Sequence, residues 1–336
     1  MELITGENDK GRRLDRILRK ALPECPLPLI HRLLRQGRIK VNGKPAKAQD
    51  LINCGVSIHI PSIMNTPKPA QTGYHKKTEN NKPPFQQGYK SPPLEILWQD
   101  CGLMAVNKPP GLSVHGHNSL NEMVLSFLAD KTPSSLSFKP GPLHRLDKPS
   151  SGIVVFSTNI EGARLFSALL RERKVKKTYL AIVEGKIDKE EIWMDELIRD
   201  NNRKKSFISQ EGKNAVTRVT PLTAENGYTL IKAEISTGRT HQIRVQAAAH
   251  GHPLAGDLKY GAYMRNREPE ITPRKAPQIS SFFLHAWRLE FLEYTIEAPP
   301  DNIKHTPFYI QHCGVSKALK YGYENFKKLK FLEVLI

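Results

Sequence analysis

The chain has 336 residues, enough for one sizeable core and a smaller module. Its 51 Lys and Arg against 33 Asp and Glu give a formal charge of +18, an excess that suits an extended polyanion, because Lys and Arg that neutralise phosphates release condensed counterions. The starting residues MELITGENDKGRRLD lack the apolar core of a signal peptide, no apolar run approaches the ~18 residues of a membrane span, and Cys25, Cys54, Cys101 and Cys313 form no CxxC pair; a reduced cytoplasm is the expected compartment, with no disulfide framework and no cysteine zinc site.

Residues 11–60 read as a compact helical module ending in a hairpin. Leu14, Ile17, Leu18 and Ala21 follow the spacing of one helix face. Pro28 and Gly37 bracket a second short helix, matching the preference for early proline and terminal glycine. Asn42-Gly43 predicts a two-residue hairpin turn. Residues 1–60 hold 12 Lys and Arg against 6 Asp and Glu, so a basic face is expected. RRLDRIL (12–18) followed by RLLRQGRIKVNG (32–43) resembles the S4 RNA-binding domain. That resemblance implies RNA contacts from Arg32, Arg35, Arg38 and Lys40.

Residues 61–93 carry seven prolines among Lys, Asn, Gln and Gly, with hardly an aliphatic residue. They predict a basic, flexible linker. From Leu94 the pattern turns mixed. LEILW, LMAVN, GIVVF, TYLAIV and FFLHAWRLEF read as strands, residues 160–171 and 240–250 as helices, and Asn226-Gly227 as a hairpin turn. The expected organisation is an N-terminal module over 1–60, the linker over 61–93, a main domain over 94–310 and a basic helical tail over 311–336. The expected fold class is α+β with a mixed, largely antiparallel sheet behind a small α/β module.

HRLDKPSSG (144–152) runs straight into the strand IVVFS. An acidic residue just before a buried strand sits on a rigid support, where reactive groups are often mounted; a turn aspartate bonding its own backbone fits the same pattern. A kinase catalytic loop is excluded, since leucine interrupts His-Arg-Asp and neither DFG nor a GxGxxG loop occurs. His115, His117, His250 and His252 have no spacing that supplies a closed ligand set. A two-carboxylate glycosidase lacks a convincing second acid.

NKPPGLSVHG (107–116), HRLDKPSSG, KKTYLAIVEG (176–185), TGRTHQIRVQAAAHGHPLAGD (237–257) and FFLHA (282–286) occur in that order. Together they resemble the RluA-type RNA pseudouridine synthases, and NKPPGLSVHG with SQEGKNAVTR (209–218) is similar to the branch that modifies large-subunit ribosomal RNA. The resemblance implies an enzyme that breaks the N1–C1′ bond of uridine, turns the base and rejoins it through C5. That isomerisation involves no redox change, so no cofactor and no metal are expected. It implies Asp147 as nucleophile, Arg244 as its ion-pair partner and Tyr179 against the target base. Leu284 is expected as an apolar wall beneath the base, and Arg145 as a contact to RNA near the vacated position. The partner implied is ribosomal RNA or an assembling large subunit, met by a monomer. Two departures stand out. Ser150 replaces the family's usual threonine and keeps a hydroxyl, so the loop hydrogen bond can survive, and Gln246 stands where histidine is common. A non-catalytic RNA-binding or assembly protein on the same scaffold is the alternative.

Overall fold

The computed structural model describes residues 1–61, 93–132, 135–225, 227–261 and 282–300. Most of the linker and the whole C-terminal tail lie outside these residues. The N-terminal module runs β1 (Glu2–Ile4), a 3-10 turn (Glu7–Asp9), β2 (Arg12–Arg13), α1 (Leu14–Ala21), α2 (Leu27–Arg35), β3 (Lys40–Val41), β4 (Lys44–Pro45), β5 (Leu51–Ile52) and β6 (Ser57–His59). The helical spacing places Leu14, Ile17 and Leu18 at full burial against Ile30, Leu33 and Leu34 of α2. Each such side chain stabilises the module by up to about 1.5–3 kcal/mol. Arg19 and Lys20 close the last turn of α1, where the helix dipole favours cations. Asn42 and Gly43, at φ 48° and 78°, make the predicted turn between β3 and β4.

The main domain follows as β7 (Glu95–Asp100), β8 (Leu103–Lys108), α3 (Leu120–Leu128), β9 (Gly141–Pro142), β10 (Ser151–Ser157), α4 (Ile160–Arg171), β11 (Lys176–Glu184), β12 (Glu191–Asp200), β13 (Lys205–Ile208), β14 (Lys213–Glu225), β15 (Tyr228–Ile235), α5 (Gln242–Ala249), β16 (Leu284–Phe291) and β17 (Tyr294–Glu297). One sheet joins them in the order β13-β12-β14-β15-β11-β16-β10-β8-β7, with β17 on β16 and β9 on β10. Every pairing is antiparallel except β10 with β16. The α+β expectation therefore holds.

The apolar run GIVVF is continuous because β10 is covered on both faces. Successive side chains alternate between faces, so Ile153 and Val155 pack with Phe166 and Leu169 of α4. Val154 and Phe156 join the opposite cluster with α3, Leu146, Tyr179 and Leu284. Within α4, Ala163 and Leu170 are half-buried, while Gly162 takes a fully inward place.

The parallel join of β10 to β16 depends on Gly152. Its φ is +103°, and a Cβ there would lie 2.3 Å from the carbonyl oxygen of Ala286. Gly152→Ala is expected to cost about 3 kcal/mol or more, by overpacking and by left-handed strain together. Thermal unfolding of the full chain reads this directly.

The two modules are packed together. Asp9, fully buried, accepts hydrogen bonds from the amides of Gly6 (2.9 Å), Leu136 (3.0 Å) and Ser137 (3.0 Å) and from the hydroxyls of Ser135 (2.8 Å) and Ser137. Arg12 Nη1 donates to the Ser137 carbonyl at 2.8 Å, and Asn8 Oδ1 accepts from the Ile160 amide at the start of α4. Leu136 packs against the N-terminal core. Burial works to raise the Asp9 pKa, but these donors outweigh it and hold the carboxyl below its ordinary value. A folded-state pKa below the unfolded one means the contact contributes fully above about pH 4 and fades as pH falls through the folded value. Hydrogen exchange at the Leu136 and Ser137 amides should accelerate, relative to the β10 amides, as that acid range is entered. In Asp9→Asn the same amides should already exchange fast at neutral pH.

Candidate active site

The loop 144–150 is fixed from several sides before it reaches β10. His144 Nε2 accepts the Val155 amide at 3.1 Å, and its ring lies against Phe166. Burial, with Lys177 nearby, pushes the His144 pKa down to about 3, so the ring is neutral and accepts at Nε2. Leu146 is buried in the main core. The Ser150 amide donates to the Asp147 carbonyl at 3.1 Å, closing the turn. The Lys148 carbonyl accepts from the Gly111 amide at 2.8 Å and from Lys108 Nζ at 3.2 Å.

Lys108 is fully buried. Its ammonium also donates to the carbonyls of Leu112 (2.8 Å) and Pro109 (3.0 Å), tying the NKPPG loop to the aspartate loop. Burial pushes its pKa down to about 7, with the Asp147 carboxylate pulling the other way. Lys108 is the second residue of NKPPGLSVHG, and nothing in the pattern signals that a lysine there is enclosed.

Asp147 sits partly exposed at the end of this scaffold. Arg244 Nη1 donates to its Oδ2 at 2.7 Å. The arginine projects from α5 and is itself clamped, Nε and Nη2 donating to Asp257 Oδ2 and Oδ1 at 2.7 and 2.8 Å. Such a bidentate pair is the strong form of the arginine–carboxylate contact. The guanidinium also lies 4.4 Å from the ring centre of Phe282 and 5.0 Å from that of Tyr260. Burial lowers the Arg244 pKa, but the bonds and charges of Asp257 and Asp147 raise it overall. Asp257 closes the quoted segment 237–257, and only the fold shows that it orients Arg244.

Tyr179 of β11 is buried beside Leu284 of β16, its register partner being Ala286. Burial first, and the Asp147 charge second, push its hydroxyl pKa far up, so it stays protonated. Arg244 of α5 thus bonds Asp147, Tyr179 of β11 lies within reach of the Asp147 charge, and Tyr179 and Leu284 share the main core cluster. Arg145 is exposed on the same loop as Asp147. Arg32 and Arg35 on α2, Arg38 between α2 and β3, and Lys40 on β3 are all exposed on the N-terminal module, away from this cluster in the chain.

The two departures resolve differently. Ser150 does not keep a loop hydrogen bond through its hydroxyl, which is buried and meets no partner among the described residues. The neighbouring Ser151 hydroxyl instead bonds His285 Nδ1 at 2.8 Å. Gln246 is fully buried, accepts from Thr217 Oγ1 at 2.7 Å, and its amide reaches Asp195 Oδ2 (2.7 Å) and the carbonyls of Trp193 and Ala215. It anchors α5, and hence Arg244, to β12 and β14. The four noted histidines do not converge: His250 stacks on Trp193 beside Asp195, His252 bonds the Glu184 carbonyl, and His117 lies near Glu122.

Residues 102–249 match the profile of the RNA pseudouridylate synthase family, and residues 12–53 that of the S4 domain. Ribosomal large subunit pseudouridine synthase C of Pasteurella multocida is 31% identical over 298 residues, covering 86% of this chain and 85% of that protein. The synthase C of Salmonella typhimurium is 30% identical over 314 residues, covering 88% and 91%. Ribosomal large subunit pseudouridine synthase D of Nitrosomonas europaea is 32% identical over 294 residues, covering 86% and 80%.

Proposed function

The chain belongs to the RNA pseudouridylate synthase family and carries an S4 domain at its N-terminus, and on that footing we propose that it isomerises specific uridines of large-subunit ribosomal RNA, with Asp147 as nucleophile. The observation that carries this reading is the Arg244–Asp147 pair, with Arg244 held from its other side by Asp257. A carboxylate so placed is paired and aimed, to attack C1′, to add to the uracil ring or to take a ribose proton. In every route the N1–C1′ bond breaks, a C5–C1′ bond forms, and the C5 proton is exchanged for one at N1.

The target base leaves its stack at a cost of a few kcal/mol. It settles against Tyr179 and Leu284, with Tyr179 in reach for proton transfer, while Arg145 takes the vacated position or an adjacent phosphate. Arg32, Arg35, Arg38 and Lys40 hold RNA at a distance from the reacting base. Arg12, Lys20 and Lys139 line a cavity of about 730 Å³ at the seam between the modules and add to the positive path. No helix among the described residues is long and apolar enough to cross a membrane, and a cytoplasmic monomer acting on ribosomal RNA or an assembling subunit fits the basic surface.

Affinity for RNA should fall by roughly 10³-fold or more between 50 and 200 mM salt, as expected for six or more phosphate contacts. A filter-binding series reads the slope. The reading as a whole is tested by carbodiimide mapping of ribosomal RNA from cells with and without the gene. Loss of one or more large-subunit pseudouridines on deletion is expected. An unchanged map, with defective subunit assembly, would favour a non-catalytic assembly role.

A further inference from the structure

His241 caps the N-terminus of α5 in the left-handed conformation, at φ 56° and ψ 25°. A histidine held there is uncommon and costs local strain, a conformation that persists only where its surroundings impose it. Its side chain is largely enclosed and lies between two groups. Nδ1 is 2.7 Å from the Tyr260 hydroxyl, and Nε2 is 3.6 Å from Asp147 Oδ1, the carboxylate oxygen that Arg244 does not hold.

The hydrogen-bond inventory points to one tautomer. Tyr260 Oη accepts the Ser206 amide at 2.9 Å, and an amide can only donate. The phenol has one proton, and among its bonding partners Ser206 N and His241 Nδ1 only the ring nitrogen can accept it. With Nδ1 accepting, the neutral ring carries its proton on Nε2, facing Asp147. We propose that His241 is a positioning residue for the isomerisation, a neutral Nε2–H donor that sets the rotation of the Asp147 carboxylate, with its tautomer fixed by Tyr260.

Neutrality is part of the device. Arg244 already supplies one full positive charge to Asp147, and a second would make the carboxylate a weaker base and nucleophile. Burial, together with Arg244, Lys259 and Arg199, pushes the His241 pKa down to about 4 against the pull of Asp147. At 3.6 Å the donor stands just outside hydrogen-bonding range, and contacts of this kind commonly tighten when substrate fills the site. Asp147 is thereby defined at both oxygens, one by charge and one by direction.

This inference rests on the proposed role of Asp147, so its first test does not use activity. Two-bond ¹H–¹⁵N correlation of histidine-labelled full-length protein reads the tautomer of each ring, with His241 assigned by the signal missing from His241→Gln or His241→Asn. An Nε2–H ring is expected in the wild type, shifting towards a tautomer mixture in Tyr260→Phe. An Nδ1–H ring in the wild type, or no change in Tyr260→Phe, overturns the proposal. The second test separates donor from helix cap. Asn suits a left-handed cap better than Gln, but Gln is the longer side chain and can keep an N–H near the Nε2 position. His241→Gln should therefore exceed His241→Asn in kcat by about 10-fold, with KM within about twofold, the size of one hydrogen bond to a charged group. Asn equal to or better than Gln means that His241 serves only as a cap. Turnover that survives in Asp147→Asn refutes the role of Asp147 while leaving the tautomer result standing.

Discussion

Asp147→Asn is expected to lower pseudouridine formation by about 10⁴-fold or more while RNA affinity stays within about threefold. The amide keeps the size and one acceptor oxygen of the carboxylate, so the loop 144–150 has no reason to move. Arg244 retains its bidentate partner Asp257, and Lys108 keeps its three carbonyls. What is removed is the negative charge, and with it each of the three routes open to a carboxylate. Single-turnover assays with carbodiimide mapping and a parallel binding curve separate chemistry from binding. An Asn variant within tenfold of wild type would show that another group performs the attack.

Arg244→Met is expected to damage both stability and chemistry. It strips the buried Asp257 carboxylate of two charge-assisted bonds and Asp147 of its partner. Removing one member of a buried pair costs about 3–5 kcal/mol, because the other is left uncompensated. For a domain of this size that corresponds to a fall in Tm of roughly 10 °C. Arg244→Lys should not rescue, since a single ammonium cannot bridge two carboxylates as a guanidinium fork does. The informative companion is the double variant Arg244→Met with Asp257→Leu, which replaces the buried pair by apolar groups and should regain much of the stability. It should still lack turnover. If the double variant recovered activity with stability, Arg244 would be only a scaffold residue.

Local structure was legible in the chain wherever spacing carries the information. The face of Leu14, Ile17 and Leu18, the turn at Asn42-Gly43 and the buried run of β10 all follow from periodicity and turn chemistry. The candidate quartet was legible for another reason: motif resemblance pointed to Asp147, Tyr179, Arg244 and Leu284, of which the fold pairs Asp147 with Arg244 and packs Tyr179 and Leu284 in one core cluster. The residues that orient them were not legible. Asp257, His241 and Lys108 lie inside the motifs and Tyr260 follows three residues later, yet their roles depend on burial and on partners up to 94 residues away in the chain, as between Asp147 and His241. The hydroxyl of Ser150 shows the converse: the substitution leaves a loop hydrogen bond possible, but among the described residues the fold gives that hydroxyl no partner. The docking of the N-terminal module through Asp9 was likewise invisible, because the carboxylate's donors come from a loop more than a hundred residues downstream.

The central claim is that this chain itself converts uridine to pseudouridine in large-subunit ribosomal RNA. Purified full-length protein incubated with unmodified large-subunit RNA, followed by carbodiimide mapping, measures that claim with no other component present. The account predicts new reverse-transcription stops at a small, fixed set of uridines, dependent on time and enzyme and absent with Asp147→Asn. Tight, salt-sensitive binding without a single new stop, on naked RNA and on precursor subunits alike, would contradict it.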